Sequence, residues 1–217
     1  MTLRRTVSID AGSVSLSGDL VVPDDARAIV VFAHGSGSSR LSPRNVAVAD
    51  RLNGAGLATL LLDLLTPREA ADRARVFDIE LLATRLVAAA GWVRSQPELA
   101  ERPLAFFGAS TGAAAALVAA AALGDDVAAV VSRGGRPDLA GDALKQVRAP
   151  TLLIVGGEDP HVLELNRAAA RKVRAETRIV VIPGAGHLFE EHGALERVAG
   201  LAAEWIAEHL VPAPSRR

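Results

Sequence analysis

The pentapeptide Gly108-Ala109-Ser110-Thr111-Gly112 sets a serine between two glycines. It follows the apolar run Leu104 to Phe107 and precedes the small-residue run Ala113 to Leu123. In a strand–turn–helix setting this G-x-S-x-G pattern is a nucleophile elbow: a strained turn lifts the serine hydroxyl above a sheet. Side chains two positions before and after Ser110 would strike the neighbouring helix and strand, which accounts for the glycines. A serine hydroxyl attacks a carbonyl only when a neighbouring base takes its proton. Of the five histidines, His187 follows the last strand-like run, in Pro183-Gly184-Ala185-Gly186-His187, at the carboxyl end where parallel sheets build sites. His34 also ends a strand, but its His-Gly context suits a structural role; His161, His192 and His209 lie beside or on helices and read as solvated.

A histidine base needs a carboxylate to set its tautomer and stabilise its cation. Asp159 ends Gly156-Gly157-Glu158-Asp159 after the run Thr151 to Val155 and is the first choice; Asp138 is the second. Glu158 reads as a solvated loop residue and Asp63 as structural. The chain order Ser110, Asp159, His187 is one of the known orders of such a triad. Two backbone N–H groups are expected to hold the oxyanion. One is that of Thr111, at the start of a helix whose positive dipole end faces the site. The other is that of Ser36, in the loop His34-Gly35-Ser36-Gly37-Ser38-Ser39. Arg133 and Arg136, after the strand that follows the elbow helix, and Arg40 and Arg44, beyond the oxyanion loop, have a structural reading as salt bridges. The sharper expectation gives Arg40 and Arg133 a carboxylate or phosphate group of the substrate, since arginine forks match such groups.

The elements that must place these residues alternate β-branched runs with longer helical runs, the pattern of a parallel sheet covered by helices on both faces. Strands are expected over 6–10, 14–22, 28–33, 57–65, 104–107, 127–131, 151–155 and 179–182. Helices are expected over 43–55, 77–96, 113–123, 161–175 and 195–210. The polar segment 66–76 is too short for a domain and reads as a possible small lid. Residues 1–211 are expected to form one domain and 212–217 a disordered tail.

The chain has 217 residues, half of them hydrophobic, enough to cover both faces of a sheet. With 24 Lys plus Arg against 25 Asp plus Glu, its charge favours neither nucleic acid nor an anionic membrane as partner. There is no cysteine, so disulfides, thiolate metal sites and a cysteine nucleophile are all excluded. No signal-peptide core or membrane span is apparent, and a cytoplasmic location is expected. Neither a dinucleotide fingerprint nor a P-loop follows a strand, and the histidines lack helix-face pairing for a metal. No metal or cofactor is expected, and the oligomeric state is left open.

With these residues placed, the chain resembles the α/β-hydrolase superfamily and, within it, the dienelactone-hydrolase-like group. The resemblance covers nearly the whole chain through AHGSGSSR, FGASTGAAAAL, RAPTLLIVGGED and IPGAGHLFEE. It implies a central, mostly parallel eight-stranded sheet, no cofactor, and hydrolysis of esters, thioesters or lactones. Dienelactone hydrolases proper use a cysteine nucleophile. Ser110 in its place points instead to carboxylesterase-type chemistry on small soluble substrates, in a chain with little or no cap domain. The alternatives are a thioesterase or acyltransferase with the same triad, and a non-catalytic binding protein on the same fold. HGSGSSRLSPRN and SRGGRPDLAGDAL also look like a bacterial subgroup sometimes fused to a phosphoribosyltransferase domain, of which these 217 residues show no sign.

Overall fold

A computed structural model describes residues 2–210. The tail expected to be disordered lies outside the described residues. The strands are β1 (Leu3–Asp10), β2 (Ser15–Val22), β3 (Ile29–Ala33), β4 (Ala58–Leu62), β5 (Leu104–Ala109), β6 (Val127–Arg133), β7 (Thr151–Gly156) and β8 (Thr177–Ile182). The helices are α1 (Pro43–Gly54), α2 (Pro67–Ala70), α3 (Arg73–Val76), α4 (Ile79–Ser95), α5 (Thr111–Leu123), α6 (Pro160–Ala170) and α7 (Ala194–Glu208). One sheet takes all eight strands in the order β1-β2-β4-β3-β5-β6-β7-β8. β1 and β2 run antiparallel to their neighbours, and the remaining pairs are parallel.

The central strands are apolar throughout because both of their faces are covered. β3, IVVFA, and β5, LAFFGA, are buried at every position. Alternate side chains enter two separate cores. Val31, Leu60 and Phe106 meet α4 and α5 on one face; Phe32, Phe107 and Val131 meet α1 and α7 on the other. The run Ala113–Ala116 is fully buried. Its small side chains let α5 lie close to both the sheet and α4, as its composition predicts. β5 lies on the opposite side of β3 from β4, so the chain reverses its direction of winding between β3 and β5. Ligands bind in the crevice outside the carboxyl ends of strands at such a switch point. The loops leaving those two ends carry His34–Ser39 and Ser110.

Segment 66–76 forms two short helices tied down by charge. Thr66 and Glu69 make a capping box at the start of α2. Glu69 Oε1 accepts from Arg85 of α4 at 3.0 Å and from Arg75 at 3.2 Å. These pairs anchor the segment read as a small lid to α4. Residues 137–146 form 3-10 turns with a break at Gly141. Among the described residues no helix is long and apolar enough to cross a membrane.

Candidate active site

Ser110 has φ 51° and ψ −122°, a strained conformation for a residue with a side chain. The surroundings enforce it. The Ser110 N–H donates to Arg133 O at 3.2 Å, and Ser110 O accepts from the N–H groups of Ala113 and Arg136. The flanking glycines are required by space. A Cβ on Gly108 would lie 2.4 Å from Ala113 Cα of α5, and one on Gly112 would lie 2.2 Å from Ala33 O of β3. The expected collisions with helix and strand are therefore both present. Ser110 ends half-buried at the mouth of the β3–β5 crevice.

His187 and Asp159 come from adjoining loops, after β8 and β7. Backbone bonds join these loops: Gly157 N–H to Ile182 O at 2.8 Å and Glu158 N–H to Ala185 O at 3.0 Å. Phe189, buried and at φ 56°, pins the histidine loop into the α1/α7 core, and Glu191 Oε1 accepts the Gly186 N–H. His187 Nδ1 lies 2.7 Å from Asp159 Oδ2, while Asp159 Oδ1 accepts from Val162 N–H at 3.4 Å as the N-cap of α6. One carboxylate thus orients the imidazole and starts a helix. Asp138, the second choice, is held by both arms of Arg136 at 2.9 and 2.8 Å. His187 lies beside the elbow. A Cβ on Gly134, next to the Arg133 carbonyl that holds Ser110, would be 3.6 Å from His187 Cε1. No hydrogen bond joins Ser110 Oγ to His187 in this structure. Such contacts are often long before substrate binds.

The oxyanion loop differs in detail from expectation. Ser36 N–H donates to Thr111 Oγ1 at 2.9 Å, so one expected donor is occupied by the side chain of the other donor's residue. Thr111 N–H, in the first turn of α5, has no intrahelical acceptor. His34 is structural: its Nδ1 meets Gly35 O at 3.0 Å and its Nε2 accepts Leu64 N–H at 3.2 Å. Burial lowers its pKa, which suits the neutral ring those two bonds require. Arg40, expected to contact substrate, is held by two carboxylates and anchors the loop. Its backbone N–H donates to Asp63 at 2.8 Å, its Nε to Asp19 at 3.0 Å, and its Nη1 pairs with Asp63. Burial opposes the Arg40 charge, but the hydrogen bond and charge of Asp63, with Asp19, raise its pKa. Arg133 is buried at the carboxyl end of β6, beside the elbow, and its guanidinium meets Asn45 of α1. His161 and His192 are exposed as expected, whereas His209 packs on Trp205 and bonds to its carbonyl.

Beside the oxyanion loop a cavity of about 310 Å³ opens between Ser36–Ser39 and an apolar wall of Leu65, Pro67, Val76 and Leu82. A larger depression, about 890 Å³, lies around the β6 entry and holds none of these residues. Among the described residues no cluster of three or more His, Asp or Glu side chains is placed to hold a metal ion. The arrangement brings together an elbow serine, an imidazole oriented by a carboxylate, the Thr111 N–H and an apolar cavity beside the oxyanion loop.

Comparison with known proteins agrees with this architecture. The dienelactone hydrolase family model matches residues 16–207. A dienelactone hydrolase structure from Anabaena variabilis superposes with a TM-score of 0.93 at 54% identity, covering 97% of this chain and 99% of that one. Est1E from Butyrivibrio proteoclasticus, 19% identical, shares the fold with a TM-score of 0.77, over 93% of this chain and 99% of its own. Proteins from two strains of Mycobacterium tuberculosis, provisionally named phosphoribosyl transferases, are 60% identical over 210 residues, 96% of this chain. The chain spans about half the length of these curated relatives, matching 47% of each. The match of the family model across nearly all of both cores and all three site loops places this chain in the dienelactone hydrolase family, a family of hydrolases.

Proposed function

We propose that this chain is a serine hydrolase that cleaves carboxylic esters of small substrates through an acyl-enzyme. The observation that carries this reading is a strained Ser110 elbow with the loop of an Asp159-oriented His187 beside it. His187 takes the Ser110 proton as Oγ bonds to the carbonyl carbon. The oxyanion is received by Thr111 N–H and by Ser36 N–H once the Thr111 hydroxyl yields it. The tetrahedral intermediate collapses, His187 protonates the departing alcohol, and the acyl group stays on Ser110. Water, deprotonated by His187, then releases the acid and returns the proton to Ser110. The cavity walled by Leu65, Val76 and Leu82 suits a short apolar acyl or alcohol group. The transferase name of the mycobacterial proteins belongs, in this reading, to the half of them that this chain does not match.

Treatment with a fluorophosphonate and mass-spectrometric mapping tests the reading without knowledge of the substrate. Labelling on Ser110, absent in Ser110→Ala and greatly slowed in His187→Ala, is expected. No labelling of the folded wild-type protein would overturn it.

A further inference from the structure

Four arginines surround the oxyanion loop and the end of β6, and the structure accounts for two. Arg40 is neutralised by Asp19 and Asp63, and Arg136 by Asp138. Among the described residues Arg44 pairs only with Glu190, itself 63% exposed, at 2.9 Å, and its Nε is buried without a partner. Arg133 is 8% exposed and makes no ion pair among the described residues. Its Nη2 donates to Asn45 Oδ1 at 3.3 Å, and its Nη1 is buried with no partner among the described residues. A guanidinium buried beside a neutral amide and a second cation is the costly arrangement that proteins otherwise avoid by pairing.

We infer that Arg133, with Arg44 and Asn45 on the first turn of α1, forms a binding site for a small oxyanion of the phosphate or carboxylate class. Three further features agree. Burial, then the charge of Arg44, lowers the Arg133 pKa to about 10, as expected for a cation without a counter-ion. The N-cap Ser42 makes no side-chain bond to α1, a twelve-residue helix, so its positive end is not capped from within. Two guanidinium groups are the donors best matched to a flat or tetrahedral oxyanion. The site adjoins the proposed catalytic centre, since Arg133 O holds Ser110 N–H and Gly134 abuts the His187 loop. It stands, however, on contacts independent of the hydrolase reading.

The test is binding of inorganic phosphate to the folded chain, followed by calorimetry and thermal shift in zwitterionic buffer, with sodium chloride at equal ionic strength as control. Saturable binding beyond the chloride control is expected, at least tenfold weaker in Arg133→Met and in Arg44→Gln. Arg133→Met removes an uncompensated buried charge, so it is expected to melt no lower than wild type in phosphate-free buffer. Arg44→Gln, on the rim, provides the independent variant should Arg133→Met not fold. Hydrolysis of matched neutral and carboxylate-bearing esters separates the two sources of the anion. Competitive inhibition by phosphate, with a tenfold fall in the anionic-to-neutral kcat/KM ratio in Arg133→Met, assigns the site to a substrate group. Binding without competition assigns it to a free ion. Phosphate binding no tighter than chloride, or unchanged in both variants, overturns the site. Phosphate binding by a protein that hydrolyses nothing would sink the hydrolase reading and leave the site standing.

Discussion

Asp159→Asn separates the two tasks of one carboxylate. Asp159 Oδ1 caps α6 through Val162 N–H, and Oδ2 faces His187 Nδ1. Asparagine has the same shape, and its carbonyl oxygen retains the cap. Its NH₂ then stands where Oδ2 stood, presenting a donor to Nδ1. Nδ1 must become the acceptor, so the ring proton moves to Nε2, the atom that takes the Ser110 proton in the proposed mechanism. Loss of tautomer and charge together is worth about 10⁴ in kcat, or about 5.4 kcal/mol of barrier. Folding stability should fall by less than about 1 kcal/mol, because Asn and Asp are equivalent caps. Asp159→Ala removes both contacts and should add a cap loss of about 1 kcal/mol. Hydrolysis of 4-nitrophenyl acetate and urea unfolding of the three proteins read both quantities. An Asn variant within tenfold of wild-type kcat would refute the role given to Asp159, and equal stability of the Asn and Ala variants would refute the cap.

Other outcomes follow from contacts on the same loops. Burial disfavours the Glu69 charge, but the hydrogen bonds of Thr66 and the charges of Arg85 and Arg75 outweigh it and lower its pKa. Its contribution to stability is therefore complete above the ordinary glutamate value of 4.5 and is lost as pH falls through the lower folded value. Glu69→Gln should destabilise the protein at pH 7 by about 3–5 kcal/mol, because Arg85 is left buried without its partner. It should also flatten that acid limb, and unfolding curves from pH 7 to 3 check both. Thr111→Val leaves the N–H of the exposed Ser36 without its protein acceptor and should cost about 0.5–1.5 kcal/mol, largely restored in Thr111→Ser. Unchanged urea midpoints would refute the Ser36–Thr111 bond. Gly112→Ala forces a Cβ towards Ala33 O and should cost about 1–3 kcal/mol or more, with loss of fluorophosphonate labelling; normal labelling would show that β3 yields.

Much of the molecule was legible in the chain. Strand and helix periods place every strand to within a few residues, because runs such as IVVFA and LAFF are apolar throughout only when both faces are covered. The elbow is local: five residues carry the strain, the space requirement and the helix start. The capping box Thr66-x-x-Glu69, with Pro67 between, was a legible signal for the start of α2 that the polar composition of 66–76 obscured.

The arginines mark the limit of sequence reading. Arg40, Arg44, Arg133 and Arg136 share one residue type and a similar loop context, yet their fates differ. Asp138 lies two residues from Arg136, so that pair is nearly local. Asp63 reaches Arg40 only because β4 ends beside β3. Arg133 is left without a carboxylate among the described residues because its strand position directs it under α1. Likewise, sequence alone determined that Ser110 is the elbow serine and that His187 and Asp159 end strands. Tertiary structure decided that Asp159 and not Asp138 meets the histidine, and that Thr111 holds the Ser36 N–H. The physical reason is range. Backbone strain, periodicity and capping act within a few residues, whereas a charge takes whatever partner the sheet order brings within about 4 Å of it.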